Sequence, residues 1–127
     1  MATKELMISD WVHSTRYNVD AKIIDVNHDS VWLDLNGKWL RHLEVDVEPI
    51  KLTNEIMEKN FPDYEPGFTI GWWPNDDGSF HIEWQEDLEG NQVILKHVMY
   101  IHELQHMLRM VKFEKEIELT GTQHEQA

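Results

Sequence analysis

Aliphatic residues occupy alternate positions over residues 31–35, and a second run with apolar residues follows over residues 38–43. Asn36-Gly37 separates the two runs. A type I′ turn needs a positive φ at both central residues, which Asn and Gly tolerate best. The pattern therefore predicts a β-hairpin over residues 31–43. A two-residue loop sets Leu35 opposite Lys38, Leu33 opposite Leu40 and Trp32 opposite Arg41.

A preceding strand is predicted over residues 21–26, because the turn-forming segment 27–30 separates it from the hairpin. If that turn has four residues, Val26 faces Val31 and Ile24 faces Leu33. Short apolar segments also lie at Trp11-Val12 and at residues 45–47. Residues 8–50 are therefore predicted to form a small antiparallel β-meander, which curls into a sheet or an SH3-like barrel.

Pro49 ends this pattern, and Thr53 is a favourable N-cap for a short helix over residues 54–59. Two further apolar runs flank a segment that contains Asp77-Gly78, which predicts a second hairpin. The remaining predictions for this part are hairpin strands at 68–73 and 80–84, loops at 61–67 and 88–91, a strand at 92–96 and a frayed tail at 120–127.

The apolar period then changes from 2 to 3.6 residues. Apolar residues from Val98 to Val111 recur at helical spacing, which predicts one helix of about four turns over 98–111. Residues 116–119 are expected to close the sheet as a last strand. The chain, residues 1–127, is thus predicted to be one α+β domain. Its β-rich part is 8–50, and 53–119 holds the short helix, the hairpin, the long helix and the last strand.

Composition narrows the chemistry that the chain can perform. The sequence has no Cys, which excludes disulfides, thiolate nucleophiles and thiolate metal sites. No apolar run approaches the roughly 18 residues of a membrane span, and the first residues lack the apolar stretch of a secretory signal. A cytoplasmic location and no cofactor are expected. No catalytic motif surrounds any of the four Ser residues, so serine-nucleophile chemistry has no support either.

Acidic residues dominate the charge. Asp and Glu number 24 against 11 Lys and Arg, for a formal net charge of −13. Proteins that bind nucleic acid or anionic membranes neutralise phosphates with a basic face, so both roles are disfavoured. The surplus is either a solvated surface or a surface that attracts another protein with a basic face. The second interpretation predicts a non-enzymatic protein-binding module.

One segment spells a catalytic motif. Residues 102–106 read His-Glu-Leu-Gln-His and lie in the predicted long helix. In zincin metallopeptidases, two histidines at this spacing bind Zn²⁺ and the glutamate is the general base. The alternative function is therefore a zinc-dependent metallopeptidase, in which His102 and His106 bind the metal and Glu103 is the base.

Two observations argue against this alternative. The apolar face of the helix lies roughly 150° or more from His102 and His106, which is expected to place the pair on the solvated side. The third ligand of the extended motif is also missing, since position 112 is Lys. His124 and Glu125 could substitute only from the predicted tail.

The chain resembles a group of small uncharacterised proteins of gut bacteria and their phages and mobile elements. The residues that carry the resemblance are Trp11-Val12, Val-Glu-Pro-Ile-Lys-Leu-Thr at 47–53, the segment 100–106 and Glu-Ile-Glu-Leu at 116–119. In that group the positions of Glu103 and His106 are usually Gln and Asn. The resemblance therefore implies a phage-like or mobile-element origin and no zinc site, and it carries no established activity.

Two acidic rows are candidate binding features. Glu44, Asp46 and Glu48 stand at alternate positions, as do Glu114, Glu116 and Glu118. On an extended strand each row would fall on one face, with neighbouring acids about 6.6–6.8 Å apart. Such a stripe would steer a basic protein by long-range attraction, or it would serve as an acidic nucleic-acid mimic that blocks a basic partner. The simpler alternative is that the rows blunt exposed sheet edges.

Tryptophan is the other candidate. Trp32 and Trp39 are expected on the polar face of the hairpin. They either form a second core layer or a Trp32–Arg41 cation–π pair, or they form an aromatic shelf that binds a ligand. Trp72 and Trp73 are adjacent on a predicted strand and must point to opposite faces. One of those two is expected in the core and the other at the surface.

Overall fold

The structure is a computed structural model that describes residues 1–61, 68–86, 92–113 and 115–119. It is a mixed α+β protein, which confirms the predicted class. The chain divides into two compact units, one of residues 1–50 with 100–102 and one of residues 51–99 with 103–127. The prediction that these residues form one domain stays a prediction. The predicted loop 88–91, the tail 120–127 and most of the loop 61–67 lie outside the described residues.

The first unit is built on a five-stranded antiparallel sheet with the order β4-β3-β2-β1-β5. Its strands are β1 (Trp11–Ser14), β2 (Val19–Val26), β3 (Ser30–Leu35), β4 (Lys38–Leu43) and β5 (Val47–Pro49). The β3–β4 hairpin has the predicted register, with Leu33 opposite Leu40. Asn36 and Gly37 both have positive φ, as a type I′ turn requires.

The register between β2 and β3 differs from the prediction. Val26 faces Val31 as expected, but Ile23 rather than Ile24 faces Leu33. An irregularity between Ile23 and Asp25 adds one residue to β2, so Ile24 has no partner opposite it. A bulge of this kind increases the local twist, and it places Ile23 in the core while Ile24 stays half-buried.

The five-stranded sheet must be strongly curled. β4 and β5 are its opposite edges, yet only a 3-10 turn of three residues, Glu44–Asp46, joins them. In a flat sheet these edges would lie about 19 Å apart, at about 4.8 Å for each strand pair. A 3-10 turn of this length spans only about 8 Å. The short connection therefore forces the edges together around one buried cluster: Leu6, Val12, Ala21, Ile23, Val31, Leu33 and Val47.

The second unit contains a three-stranded antiparallel sheet with the order β6-β7-β8. The strands are β6 (Phe68–Pro74), β7 (Phe80–Glu86) and β8 (Gln92–Val98). Alternate residues of β7 are buried, namely Phe80, Ile82 and Trp84. The helix α1 (Asn54–Asn60) precedes the sheet, and the Thr53 hydroxyl accepts a hydrogen bond from the Ile56 N–H, as predicted for its N-cap.

The long helix is shorter than predicted. The helix α2 spans Ile101–Met110, and Val98 belongs to β8 instead. At its carboxyl end Lys112 has φ +60°. The Phe113 N–H donates to the Leu108 carbonyl and the Lys112 N–H donates to the Arg109 carbonyl, which is a Schellman motif. Neither helix of the described ranges is long and apolar enough to cross a bilayer.

The predicted last strand at 116–119 is wrong. Residues 115–119 have no strand pairing, although Ile117 and Leu119 are buried. The Asn60 side chain holds this segment instead. Its amide donates to the Glu118 carbonyl, and its oxygen accepts from the Glu118 N–H, both at 2.7 Å. One buried side chain thus supplies the two bonds that a neighbouring strand would have made.

Candidate functional site

Large apolar side chains are exposed along one edge of the first unit. Trp39 is 66% exposed, Leu43 is 46% exposed, and Val45 is 81% exposed. Trp39 and Leu43 lie on the edge strand β4, and Val45 lies in the 3-10 turn that follows it. We call these three residues the β4 edge surface. An exposed edge strand also presents backbone N–H and C=O groups to a partner.

The β4 edge surface is placed by strand alternation. Leu40 and His42 face inward, so Trp39, Arg41 and Leu43 share the outer face of the sheet. The register sets Asp34 opposite Trp39. The hairpin therefore places Trp39 on the predicted polar face, at the outermost strand of the sheet.

Trp32 lies on the same outer face and is half-buried, with Arg41 opposite it as predicted. The Arg41 guanidinium is held elsewhere, however. Its Nε donates to Ser30 Oγ at 3.1 Å, and its Nη2 lies 3.7 Å from the Asp29 carboxylate. The guanidinium is thus tied to the turn between β2 and β3. Trp39 is the more exposed of the two predicted aromatic residues.

The predicted acidic stripe of Glu44, Asp46 and Glu48 is not formed, because Glu44–Asp46 is a 3-10 turn rather than a strand. A 3-10 turn does not align residues i and i+2 on one face. The Glu44 carboxylate accepts from the Thr3 N–H at 3.1 Å, so it fastens the chain start. Glu48 is exposed on β5 opposite His13. In the second row, Glu114 lies outside the described residues and 115–119 form no strand.

The His-Glu-Leu-Gln-His segment lies on α2, as predicted, but its histidines are not both at the surface. His102 is only 7% exposed and stacks on Tyr100, with their ring centroids 5.9 Å apart. The expectation that the pair is solvated is therefore wrong for His102. Helical periodicity identified the apolar face correctly, but α2 is covered on a second side as well, since Gln105 is also buried.

The Glu103 carboxylate has a structural role. It accepts a hydrogen bond from the Met99 N–H at 2.9 Å and so satisfies a backbone donor just before α2 begins. Within the four described ranges, no group of three or more His, Asp or Glu side chains is placed to hold a metal ion. His124 and Glu125, the predicted tail ligands, lie outside those ranges.

Sequence reasoning missed a buried Ser–His pair in the first unit. Ser14 Oγ and His42 Nε2 are 2.7 Å apart, and His42 Nδ1 lies 3.1 Å from the Leu40 carbonyl. A carbonyl only accepts, so Nδ1 carries the proton and the Ser14 hydroxyl donates to Nε2. Ser14 also accepts from the Tyr17 N–H. Both side chains are fully buried, so the pair stabilises the fold and does not face a substrate.

A Ser–His–Asp cluster is formed by Asp77 and Ser79 in the turn between β6 and β7 and by His97 on β8. The Ser79 hydroxyl and its N–H both donate to Asp77 Oδ1, and these bonds lower the pKa of Asp77. In a catalytic triad the histidine stands between the serine and the acid. Here the serine binds the acid directly, and His97 Nδ1 is 3.4 Å from Ser79 Oγ. The cluster therefore closes a turn and does not activate a nucleophile.

The last group lies on the exposed face of the three-stranded sheet. Trp73 is 46% exposed and stacks on His81, which hydrogen-bonds to Glu83. Its neighbour Trp72 is half-buried and donates to the Phe61 carbonyl, which confirms that the two tryptophans face opposite ways. Strand alternation in 80–84 was the available signal, because it places His81 and Glu83 on one face.

Comparison with family models, with curated proteins and with solved structures finds no match to this chain. The resemblance to small phage-like proteins of gut bacteria stays a prediction.

Proposed function

We propose that the first unit is an SH3-like barrel that acts as a non-enzymatic protein-binding module. In such barrels a five-stranded meander curls until the last strand pairs with the first, after a 3-10 turn. The order β4-β3-β2-β1-β5, with the turn Glu44–Asp46 before β5, supports this arrangement. A phage or mobile-element origin is part of the proposal.

The exposure of Trp39 carries the proposal. Large aromatic side chains are enriched where proteins bind one another, and exposing two thirds of an indole to water is unfavourable without a partner. Trp39 is accompanied by Leu43 on the same strand face and by Val45 in the following turn. Together they offer a partner an apolar patch beside an open strand edge.

The net charge of −13 selects the chemistry of the partner. A protein this acidic attracts basic proteins over long distances and repels nucleic acids. Glu48 and Asp34 are exposed on the outer face of the same sheet. The partner is therefore a protein with a basic surface and an apolar segment that covers Trp39. The nucleic-acid mimic required continuous acidic rows, and the 3-10 turn at Glu44–Asp46 gives it no support.

The test is a pull-down from host-cell lysate with the immobilised full chain. The amount of retained protein is compared at low salt and at about 0.5 M salt, where charge attraction is strongly screened. The chain should retain a basic protein at low salt and lose it at high salt. Trp39→Ala should reduce retention at least about fivefold, typical of an interface aromatic. Met110→Ala is the matched control, because Met110 is 61% exposed in the other unit.

Three results would contradict the proposal. One is that no protein is retained at any salt concentration. Another is that the retained protein is indifferent to Trp39→Ala. The third is an equal loss with Met110→Ala, which would show non-specific adhesion to exposed apolar residues.

A further inference from the structure

The exposed face of the three-stranded sheet has an opening at Gly71. The register places Gly71 opposite Glu83 and Trp73 opposite His81. Among the described residues, a Cβ built at Gly71 would meet one atom within 4 Å, Trp73 Cζ3 at 3.8 Å. The Trp73 ring therefore leans over Gly71 on one side, and Glu83 stands across from it on the neighbouring strand.

The side chains around this opening hold one another in place. The Trp73 and His81 rings are parallel within 12°, with centroids 4.3 Å apart. His81 Nε2 lies 2.9 Å from Glu83 Oε2. A carboxylate only accepts, so the imidazole donates from Nε2 and orients Glu83. The Glu83 side chain is still 36% exposed, and so it meets solvent and any ligand over Gly71.

A flat ring beside a carboxylate selects a planar cation. A guanidinium stacks on an indole through cation–π attraction, and its fork of N–H donors matches a carboxylate. A compact ammonium lacks the plane, and an anion would meet Glu83 and a net charge of −13. We infer that the face around Gly71 binds the guanidinium of an arginine in a basic protein segment.

This site is independent of the β4 edge surface, since all four of its residues belong to the second unit. This site is also more selective than the β4 edge surface, which is proposed to bind basic proteins in general. It should prefer arginine, because lysine lacks the planar guanidinium that stacks on the indole. The affinity for one arginine should be low. An exposed cation–π contact and a partly exposed ion pair give a dissociation constant of about 30–200 mM.

The experiment is an NMR titration of the ¹⁵N-labelled full chain. The probes are an acetylated, amidated Gly-Arg-Gly peptide and the same peptide with lysine or with citrulline, which is planar but uncharged. The arginine peptide should shift the Trp73 indole N–H signal, assigned by its loss in Trp73→Leu. The lysine peptide should bind at least about twofold more weakly, and the citrulline peptide should bind more weakly still.

Variants separate the contributions to binding. Glu83→Gln and Trp73→Leu should each weaken the arginine peptide about two- to fivefold, as expected for one exposed contact. Gly71→Ala should also weaken it, since a Cβ there meets Trp73 at an ordinary distance and yet occupies the opening. Tyr17→Leu is the matched control, because Tyr17 is an exposed aromatic residue of the first unit and belongs to neither site; it should leave the dissociation constant unchanged.

The inference fails if the arginine peptide leaves the Trp73 signal unmoved up to about 200 mM, the weak end of the expected range of dissociation constants. It also fails if the citrulline peptide binds as tightly, or if Tyr17→Leu weakens binding as much as Trp73→Leu does. If Trp73→Leu does not fold, Glu83→Gln and Gly71→Ala still decide the question. Neither variant alters the β4 edge surface, so failure here is distinguishable from failure of the proposed function.

Discussion

Asn60 is the residue whose side chain holds the segment 115–119 in place. It is almost fully buried, and its amide donates both to the Ile56 carbonyl and to the Glu118 carbonyl at 2.7 Å. Its oxygen meets the Glu118 N–H. The side chain therefore joins the end of α1 to a segment that has no strand partner. Buried polar atoms that lose such partners are costly, so the segment should detach when the amide is changed.

Asn60→Asp is expected to destabilise the protein by at least about 2 kcal/mol at neutral pH, because a carboxylate cannot donate to either carbonyl. Urea unfolding followed by far-UV circular dichroism measures the change. Asn54→Asp is the control, since Asn54 is exposed in the first turn of α1. A surface change of that kind should stay within about 0.5 kcal/mol. Equal effects of the two variants would contradict this role for Asn60.

Asp77 is a second residue with a measurable local effect. Hydrogen bonds from the Ser79 hydroxyl and N–H lower its pKa below the ordinary value of 3.8, and His97 contributes less. Because the folded pKa is lowered, the stabilising contribution is complete above the unfolded value. It is lost as the pH falls through the lowered pKa.

Ser79→Ala is expected to raise the pKa of Asp77 toward its ordinary value, and the remaining N–H bond should keep part of the shift. An NMR titration of the Asp77 carboxyl carbon measures this change. His97→Gln removes the weaker, coulombic cause and should move the pKa less than Ser79→Ala does. A larger effect of His97→Gln would show that charge, rather than the hydroxyl, controls Asp77.

At the scale of elements, α2 ends in a conformation that its residue disfavours. Lys112 has φ +60°, in the left-handed region where a Cβ is strained. The Schellman hydrogen bonds from Lys112 and Phe113 hold the chain there. Glycine is the usual residue at this position, and its absence removed the sequence signal for the helix end.

Lys112→Gly is expected to stabilise the protein by about 0.5–1 kcal/mol, because the gain from relieving a left-handed Cβ exceeds the added chain entropy. Lys112→Ala keeps the Cβ and removes the long side chain, so it should bring no comparable gain. The difference in thermal midpoint between the two variants is the measurement. A glycine variant no more stable than the alanine variant would refute the strain at this site.

The sequence predicted correctly those elements whose structure is determined by residues close to one another in the chain. The Asn36-Gly37 turn fixes its own hairpin register, and Thr53 caps α1 with its own hydroxyl. The elements it predicted poorly are decided by distant groups. Residues 116–119 read as a strand, but Asn60, 58 residues earlier, satisfies the Glu118 backbone.

The same distinction between local patterns and contacts of distant residues applies to the candidate sites. Alternation placed Trp39 on the outer face of the hairpin, as the structure has it. It also predicted an extended acidic row at 44–48, where the chain must instead turn to join the two edges of a curled sheet. The burial of His102 depends on what covers α2 outside its apolar face, which helical periodicity does not reveal. The pairing of Trp73 with His81 depends on the register of β6 and β7. Pro74 belongs to β6, so the turn between these strands is one residue shorter than the predicted bounds of 68–73 and 80–84 imply.

At the scale of the whole molecule, the two edges of the five-stranded sheet are not equivalent. β5 has three residues and ends at Pro49, which has no N–H to donate, and the next carbonyl, Ile50, already accepts from the Ile101 N–H. β4 has six residues and contains no proline. One edge is thus closed to strand addition, whereas no strand of the described residues pairs with the outer side of β4.

The difference between the β4 and β5 edges limits how copies of the chain can associate through the first unit. An open filament needs a heterologous contact, in which one edge of each copy joins the other edge of the next. The closed β5 edge cannot take part in such a contact. Pairing of β4 with β4 is isologous, consumes both open edges at once and stops at two copies. Through this sheet the chain can form a closed pair, but it cannot grow into a fibre.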